Sequence, residues 1–338
     1  MKNLIIYQFG ILVLLTVFSC KKDHSQTNSV PGDPSAEVLI AGNYTPANNI
    51  VSAAYWKSGQ FYPLEDGSNL ASHAYGIIQY NGHIYVAGDY GGKACIWEDG
   101  VRNVIEQNFN GFVKGFALHK VNAELHLVLF GAKGTAQNVT PRAFAMDWVS
   151  KAILYENNQN LESAIYGFNS ESGTIYMSGI IASQATLIKV GLGENQLGGS
   201  SLVGPLRYHN SKYYFASYFK VDPNITESGY FENTSFISLG LSSQLYLTDL
   251  DFDEMGTLIL AGTSFDVNQV NHATIWENKI PTVLSTSSSR AEALAIYNKF
   301  VYVVGRENST ACYWVNKQQV SLNTPNSVAT AIYVSAKN

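Results

Sequence analysis

The sequence predicts an all-β chain built from seven copies of one four-stranded unit, and three observations predict it. First, an apolar strand closing on a small residue recurs along the chain. It ends at Gly42, Gly88, Gly131, Gly179, Ser217, Gly262 and Gly305, a step of roughly 38 to 48 residues. Second, all five tryptophans occur in the motif Ala-x-x-Trp: Ala53 to Trp56, Ala94 to Trp97, Ala145 to Trp148, Ala273 to Trp276 and Ala311 to Trp314. Third, the two ends of the repeat array are complementary. A period in the forties with four short strands per unit is the pattern of a β-propeller, here seven-bladed.

The second unit shows the elements most clearly. Tyr75 to Tyr80 forms a first strand, and Asn81-Gly82, both tolerant of positive φ, forms a two-residue hairpin turn. His83 to Gly88 is the second strand, Ala94 to Glu98 the third and Val101 to Glu106 the fourth, with Asp99-Gly100 as the turn between the last two. The seventh unit repeats this spacing from Ala291 to Gly305, with Asn298-Lys299 in place of Asn81-Gly82. The first unit starts instead at its second strand, Val38 to Tyr44, and the chain ends on an extra strand, Ala329 to Val334. Pairing those two segments closes the ring and hides two sheet edges that would otherwise invite association. A closed ring of this kind is expected to stand as a monomer. The tryptophan position reads as packing between blades. Ile188 and Ile237 are expected to fill it in the two units without tryptophan.

Residues 1–19 read as a leader: Lys2, then an apolar run from Leu4 to Phe18 that is short for a membrane span. Residues 20–36, polar and rich in Ser, Asn, Pro and Gly, read as a flexible tether, and residues 37–336 as the propeller. Cys95 and Cys312 occupy equivalent positions in non-adjacent blades, too far apart for a disulfide, and are expected as buried apolar residues.

Composition excludes one class of partner. The chain has 21 Lys and Arg against 26 Asp and Glu, a net charge of -5, and no basic block, which argues against nucleic acid. No Gly-x-Ser-x-Gly elbow, His-Glu-x-x-His or phosphate-binding glycine loop occurs, and no histidine pair has metal-ligand spacing. No cofactor is expected. The densest carboxylate group, Asp249, Asp251, Asp253 and Glu254 before Gly256, lacks the later ligands of a calcium loop and reads as a solvated hairpin.

Function in such a ring is expected on the face formed by the second-to-third-strand loops and the between-blade connections, over the central channel. The loops expected there are Lys220 to Thr234, Ala132 to Arg142, Thr263 to His272 and Asp89 to Lys93. The polar residues expected to converge there as a ligand site are Asp89, Arg142, Asp266, His272, Arg290 and Arg306.

Two resemblances extend this reading. Val17-Phe18-Ser19-Cys20 resembles a bacterial lipobox, which implies cleavage before Cys20, acylation of that cysteine and attachment to a membrane. Cys20-Lys21-Lys22-Asp23 resembles the charged stretch of surface-exported lipoproteins of the Bacteroidota. Tyr85-Val86-Ala87-Gly88 and Tyr55-Trp56-Lys57-Ser58-Gly59 make nearly the whole chain similar to uncharacterised propeller lipoproteins of that phylum. These resemblances imply an outer-membrane lipoprotein, on the cell surface or the periplasmic face, that binds a glycan or protein partner. An envelope scaffold, and a polysaccharide lyase or glycoside hydrolase with carboxylates gathered from distant blades, are the alternatives.

Overall fold

A computed structural model describes residues 32–65, 67–105, 110–135, 138–157, 161–171, 173–222, 225–241 and 244–337; the leader and Cys20 lie outside the described residues. The chain forms a seven-bladed β-propeller of antiparallel four-stranded blades. Blade 2 runs, from channel to rim, Ser72–Tyr80, His83–Tyr90, Lys93–Glu98 and Val101–Val104. Blade 1 is closed as expected. The C-terminal strand Ser327–Ala336 lies innermost and pairs with Ala36–Tyr44 from Ala36 opposite Ala336 to Tyr44 opposite Ser327. Blades 4 and 5 are fused, because Gly193–Val203 leaves the rim of blade 4 and its last residues pair with Lys212–Asp222 of blade 5.

The hairpins follow the local chemistry. Asn81-Gly82, Asp99-Gly100 and Asn298-Lys299 all have both residues at positive φ, the paired left-handed conformation that matches strand twist. No single core exists. Seven apolar clusters each join two adjacent blades, as with Leu39 and Ala53 of blade 1 against Val86 and Trp97 of blade 2. Cys95 and Cys312 are buried in two of these clusters, and burial pushes both thiols up.

The blade register corrects the tryptophan reading in two places. Trp56, Trp97, Trp276 and Trp314 share one site, two residues past the third-strand partner of the anchor residue, and all are buried. In blade 3 that site is held by Met146, since Gly131 faces Phe144; Ala143 is the true match to the motif's alanine. Trp148 lies beyond the strand, half-buried, with the Lys151 ammonium 2.8 Å from its ring centre. In blade 5 Phe231 holds the site, because Ser217 faces Gly229, and Ile237 stands on the fourth strand.

A second repeated device joins the blades. The first residue of four inner strands is a buried serine: Ser72, Ser163, Ser289 and Ser327. Each accepts a 2.9 Å hydrogen bond from the backbone N–H of an alanine in the preceding blade, namely Ala53, Ala143, Ala273 and Ala311. These N–H groups have no water to turn to, so each bond avoids a desolvation penalty of about 1–3 kcal/mol.

Candidate functional site

The channel is shaped by one irregularity repeated around the ring. Six inner strands carry a β-bulge at the same level, each adding one residue opposite the second strand. The extra residues are Thr330, Tyr75, Lys114, Tyr166, Thr248 and Glu292 of blades 1, 2, 3, 4, 6 and 7. In blade 5 the inner path is interrupted at this level, between Val203 and Arg207. All six side chains, with Gly204 and Pro205, line one cavity of about 270 Å³. Glycines keep the ring tight. A Cβ on Gly76 would lie 2.9 Å from the Gly115 Cα, and one on Gly167 2.1 Å from the Leu206 nitrogen.

The six side chains divide by their partners. Thr330 and Thr248 donate across to the next blade, to the Ala74 carbonyl at 2.7 Å and the Ala291 carbonyl at 3.1 Å. They fasten the ring. Tyr75 donates to Asp89 at 2.9 Å, and His73 Nδ1 lies 3.1 Å from the same carboxylate. Its hydrogen bond to buried Asp89 raises the His73 pKa, and burial raises that of Tyr75, so its hydroxyl stays protonated. Lys114 lies between two aromatic faces, its ammonium 5.4 Å from the Tyr75 ring centre and 5.9 Å from that of Tyr166. Among the described residues neither Lys114 nor Glu292 forms an ion pair. Burial pulls Lys114 down, against Glu292 and Asp249, and pushes Glu292 up, against Arg290, Lys114 and Arg306. Both groups are walled in by protein yet keep contact with the channel, which is why they are only partly exposed.

One layer toward the loop face, about 7 Å along the strands, stand Arg290 and Arg306. They are direct partners across the two innermost strands of blade 7, Ser289–Tyr297 and Phe300–Glu307. Tyr246 lies beside them, with the Arg290 guanidinium 6.0 Å from its ring centre, and Tyr218 packs edge-on to Tyr246 at 5.9 Å. The Arg290 Nε is buried without a hydrogen-bond partner, and the buried Tyr246 hydroxyl lies beside that of Thr263. Arg306 and His73 also line a shallower cleft of about 390 Å³ at the mouth beside blade 1.

At the other end of the cavity the charges are matched. Arg207 lies 3.4 Å from Asp249 and 3.3 Å from Asp251. Asp249 is buried and also accepts from the backbone N–H groups of Leu250 at 2.8 Å and Leu294 at 3.0 Å. Burial still pushes its carboxyl up to about 6. The acidic stretch is therefore no simple solvated hairpin. Asp249 ties blade 6 to blade 7, while Asp253 closes the turn by accepting from Met255 and Thr257. Among the described residues no cluster of three metal-ligating side chains occurs.

Of the residues expected from sequence, Arg290, Arg306 and Asp89 gather at the channel mouth. Arg142 stands on the third strand of blade 3 opposite Lys133, nearly buried. Asp266 folds back on its own loop, accepting from Asn268 and Val270, with His272 3.5 Å away. The long loops expected are mostly strand. Residues 212–222 and 225–232 form a hairpin, and Thr135 to Asn138 separates the ends of another. Tyr75, Lys114, Tyr166 and Glu292 escaped sequence reading. Their signal is an extra residue before a small one, as in Ala74-Tyr75-Gly76, Val113-Lys114-Gly115 and Ala291-Glu292-Ala293, which acquires meaning only once the strands are in register. A scan against protein-family models finds no match, and a search of curated proteins finds none.

Proposed function

We propose that this chain is a lipid-anchored binding module whose site is the loop-face mouth of the central channel, and that its partner is a glycan. The observation that carries the reading is the pair of unmatched charges on the bulge ring, Lys114 and Glu292, facing a cavity walled by tyrosines. Buried charges without partners are costly, and folds keep them where a ligand completes them. Tyrosine offers a flat apolar face and a hydroxyl, which suits a sugar ring with a C–H face and a hydroxyl edge.

The described chain begins at the edge of blade 7. Asp33 donates its N–H to the Tyr302 hydroxyl at 3.0 Å and accepts from the Asn298 amide at 2.8 Å. The chain is thus fixed at Asp33 beside the blade 7 turn. Along the inner strand, Asn298 is eight residues from Arg290, roughly 26 Å at strand rise.

The test is retention of the purified chain on a panel of immobilised polysaccharides, scored also for reducing or unsaturated ends. Retention without product, lost in Lys114→Met and kept in Lys317→Met on the opposite face, is the expected result. Release of product would replace the binding reading with a lyase or hydrolase. Retention indifferent to Lys114→Met would remove the channel as the site.

A further inference from the structure

Arg290 and Arg306 break a local rule of sheet structure. Residues directly opposite on antiparallel strands have Cβ atoms about 5 Å apart, and like charges there repel. These two arginines are such a pair. Among the described residues neither forms an ion pair that would relieve the repulsion. Glu292 is within electrostatic reach of both, but one carboxylate stands against Arg290, Arg306 and the ammonium of Lys114. Asp89 also stands at the mouth, held by His73 and Tyr75 and paired with neither arginine. Lys114, Arg290 and Arg306 thus stand as three cations against the two carboxylates of Glu292 and Asp89, in a chain whose net charge is -5. The polar atom left over is a donor: the buried Arg290 Nε lacks an acceptor.

What would complete this arrangement is a planar, singly charged acceptor. Guanidinium groups match carboxylate oxygens in a paired geometry. The channel cavity of about 270 Å³ begins one layer below the arginines, at Glu292. Tyr75 and Tyr166 form its walls, and Lys114 and Glu292 supply one donor and one acceptor at hydroxyl positions.

We infer that the mouth takes a uronic-acid residue, with its carboxylate on Arg290 and Arg306 and its ring against the channel tyrosines. This rests on the channel-mouth binding reading above and specifies its ligand. The free sugar acid and the terminal uronate of a polysaccharide share this chemistry.

The experiment is calorimetric titration of the purified chain with galacturonate and glucuronate, their oligomers, the matching neutral sugars, acetate and an acidic peptide. One-to-one uronate binding, weakening with salt and at least tenfold weaker in Arg290→Gln and in Arg306→Gln, is expected, with Lys317→Gln unchanged. Tighter binding of the oligomer points to a polysaccharide end; equal binding points to the free acid. Melting of the ligand-free variants separates a ligand role from a structural one. Arg290→Gln should melt at or above the parent temperature, and a clear fall would overturn the inference. Binding of neutral sugar or acidic peptide in preference to uronate, still lost in Arg290→Gln, overturns the uronate while keeping the site. Absence of any binding, or binding indifferent to both arginines and Lys114, overturns both.

Discussion

The two ends of the central channel hold the same kinds of groups in opposite states. At the turn-side end, Arg207 faces Asp249 and Asp251, and Asp249 is further held by two backbone N–H groups. At the loop-side end, Arg290 and Arg306 face each other, and Lys114 and Glu292 stand apart without an ion pair. Both sets sit on the inner strands of one closed ring and share its low-dielectric surroundings. The difference is that one end is satisfied from within the chain and the other is not. A satisfied buried network fixes how blades meet, whereas the loop-side groups are the ones the proposed ligand would engage.

Mutating each end should therefore move different observables. The largest effect is expected from Asp249→Ala, which strands Arg207 and the Leu294 N–H; the loss should reach about 3–5 kcal/mol in urea unfolding. Replacing the pair together, Arg207→Met with Asp249→Leu, should cost less than Asp249→Ala alone, since no unpaired charge remains; a double-mutant cycle reads the coupling. If the losses simply add, the lower end is not a paired network.

Acid titration sharpens the contrast. The folded Asp249 carboxyl is raised to about 6 from an ordinary 3.8. Between these values the folded state holds the proton and the unfolded chain does not. Its contribution is thus fully present below about pH 4 and is lost as pH rises through about 6. Stability measured across that window should fall by this group's share, and Asp249→Asn should remove the dependence.

At the mouth the readout is affinity. Burial raises Glu292 as well; protonating it removes a negative charge beside Arg290, Lys114 and Arg306. Binding of an anionic ligand should strengthen as pH falls toward this titration, and Glu292→Gln should bind at neutral pH as the parent does in acid. Equal affinity at both pH values would show that Glu292 does not sense the ligand. The smallest change is expected in the stability of the ligand-free Arg290→Gln variant, a gain of about 0.2–1 kcal/mol from lifting cross-strand repulsion.

Sequence reading reached the blades because they are local objects. Apolar strands, Asn-Gly and Asp-Gly turns and the Ala-x-x-Trp motif are written within a few residues of each other, and the missing first strand of blade 1 is answered by the spare one at the C-terminus. Where two motifs competed, as with Ala143 and Ala145 in blade 3, spacing chose the tryptophan and pairing chose Met146. Arg290, Arg306 and Asp89 stand at strand ends on the loop face, where the blade repeat places them. Arg142, Asp266 and His272 share that region, yet their side chains stand in, or fold back on, their own blades.

The sequence by itself determined the number of blades and the closure of the ring, since these follow from periodicity and turn chemistry. Only the tertiary structure decided which residues meet in the channel. A β-bulge shifts one residue out of the period-two alternation, so Tyr75, Lys114, Tyr166 and Glu292 turn inward against the pattern of their strands. Whether a charge such as Arg207 or Arg290 finds a partner depends on blades far apart in sequence, and closing the ring is what brings those blades together.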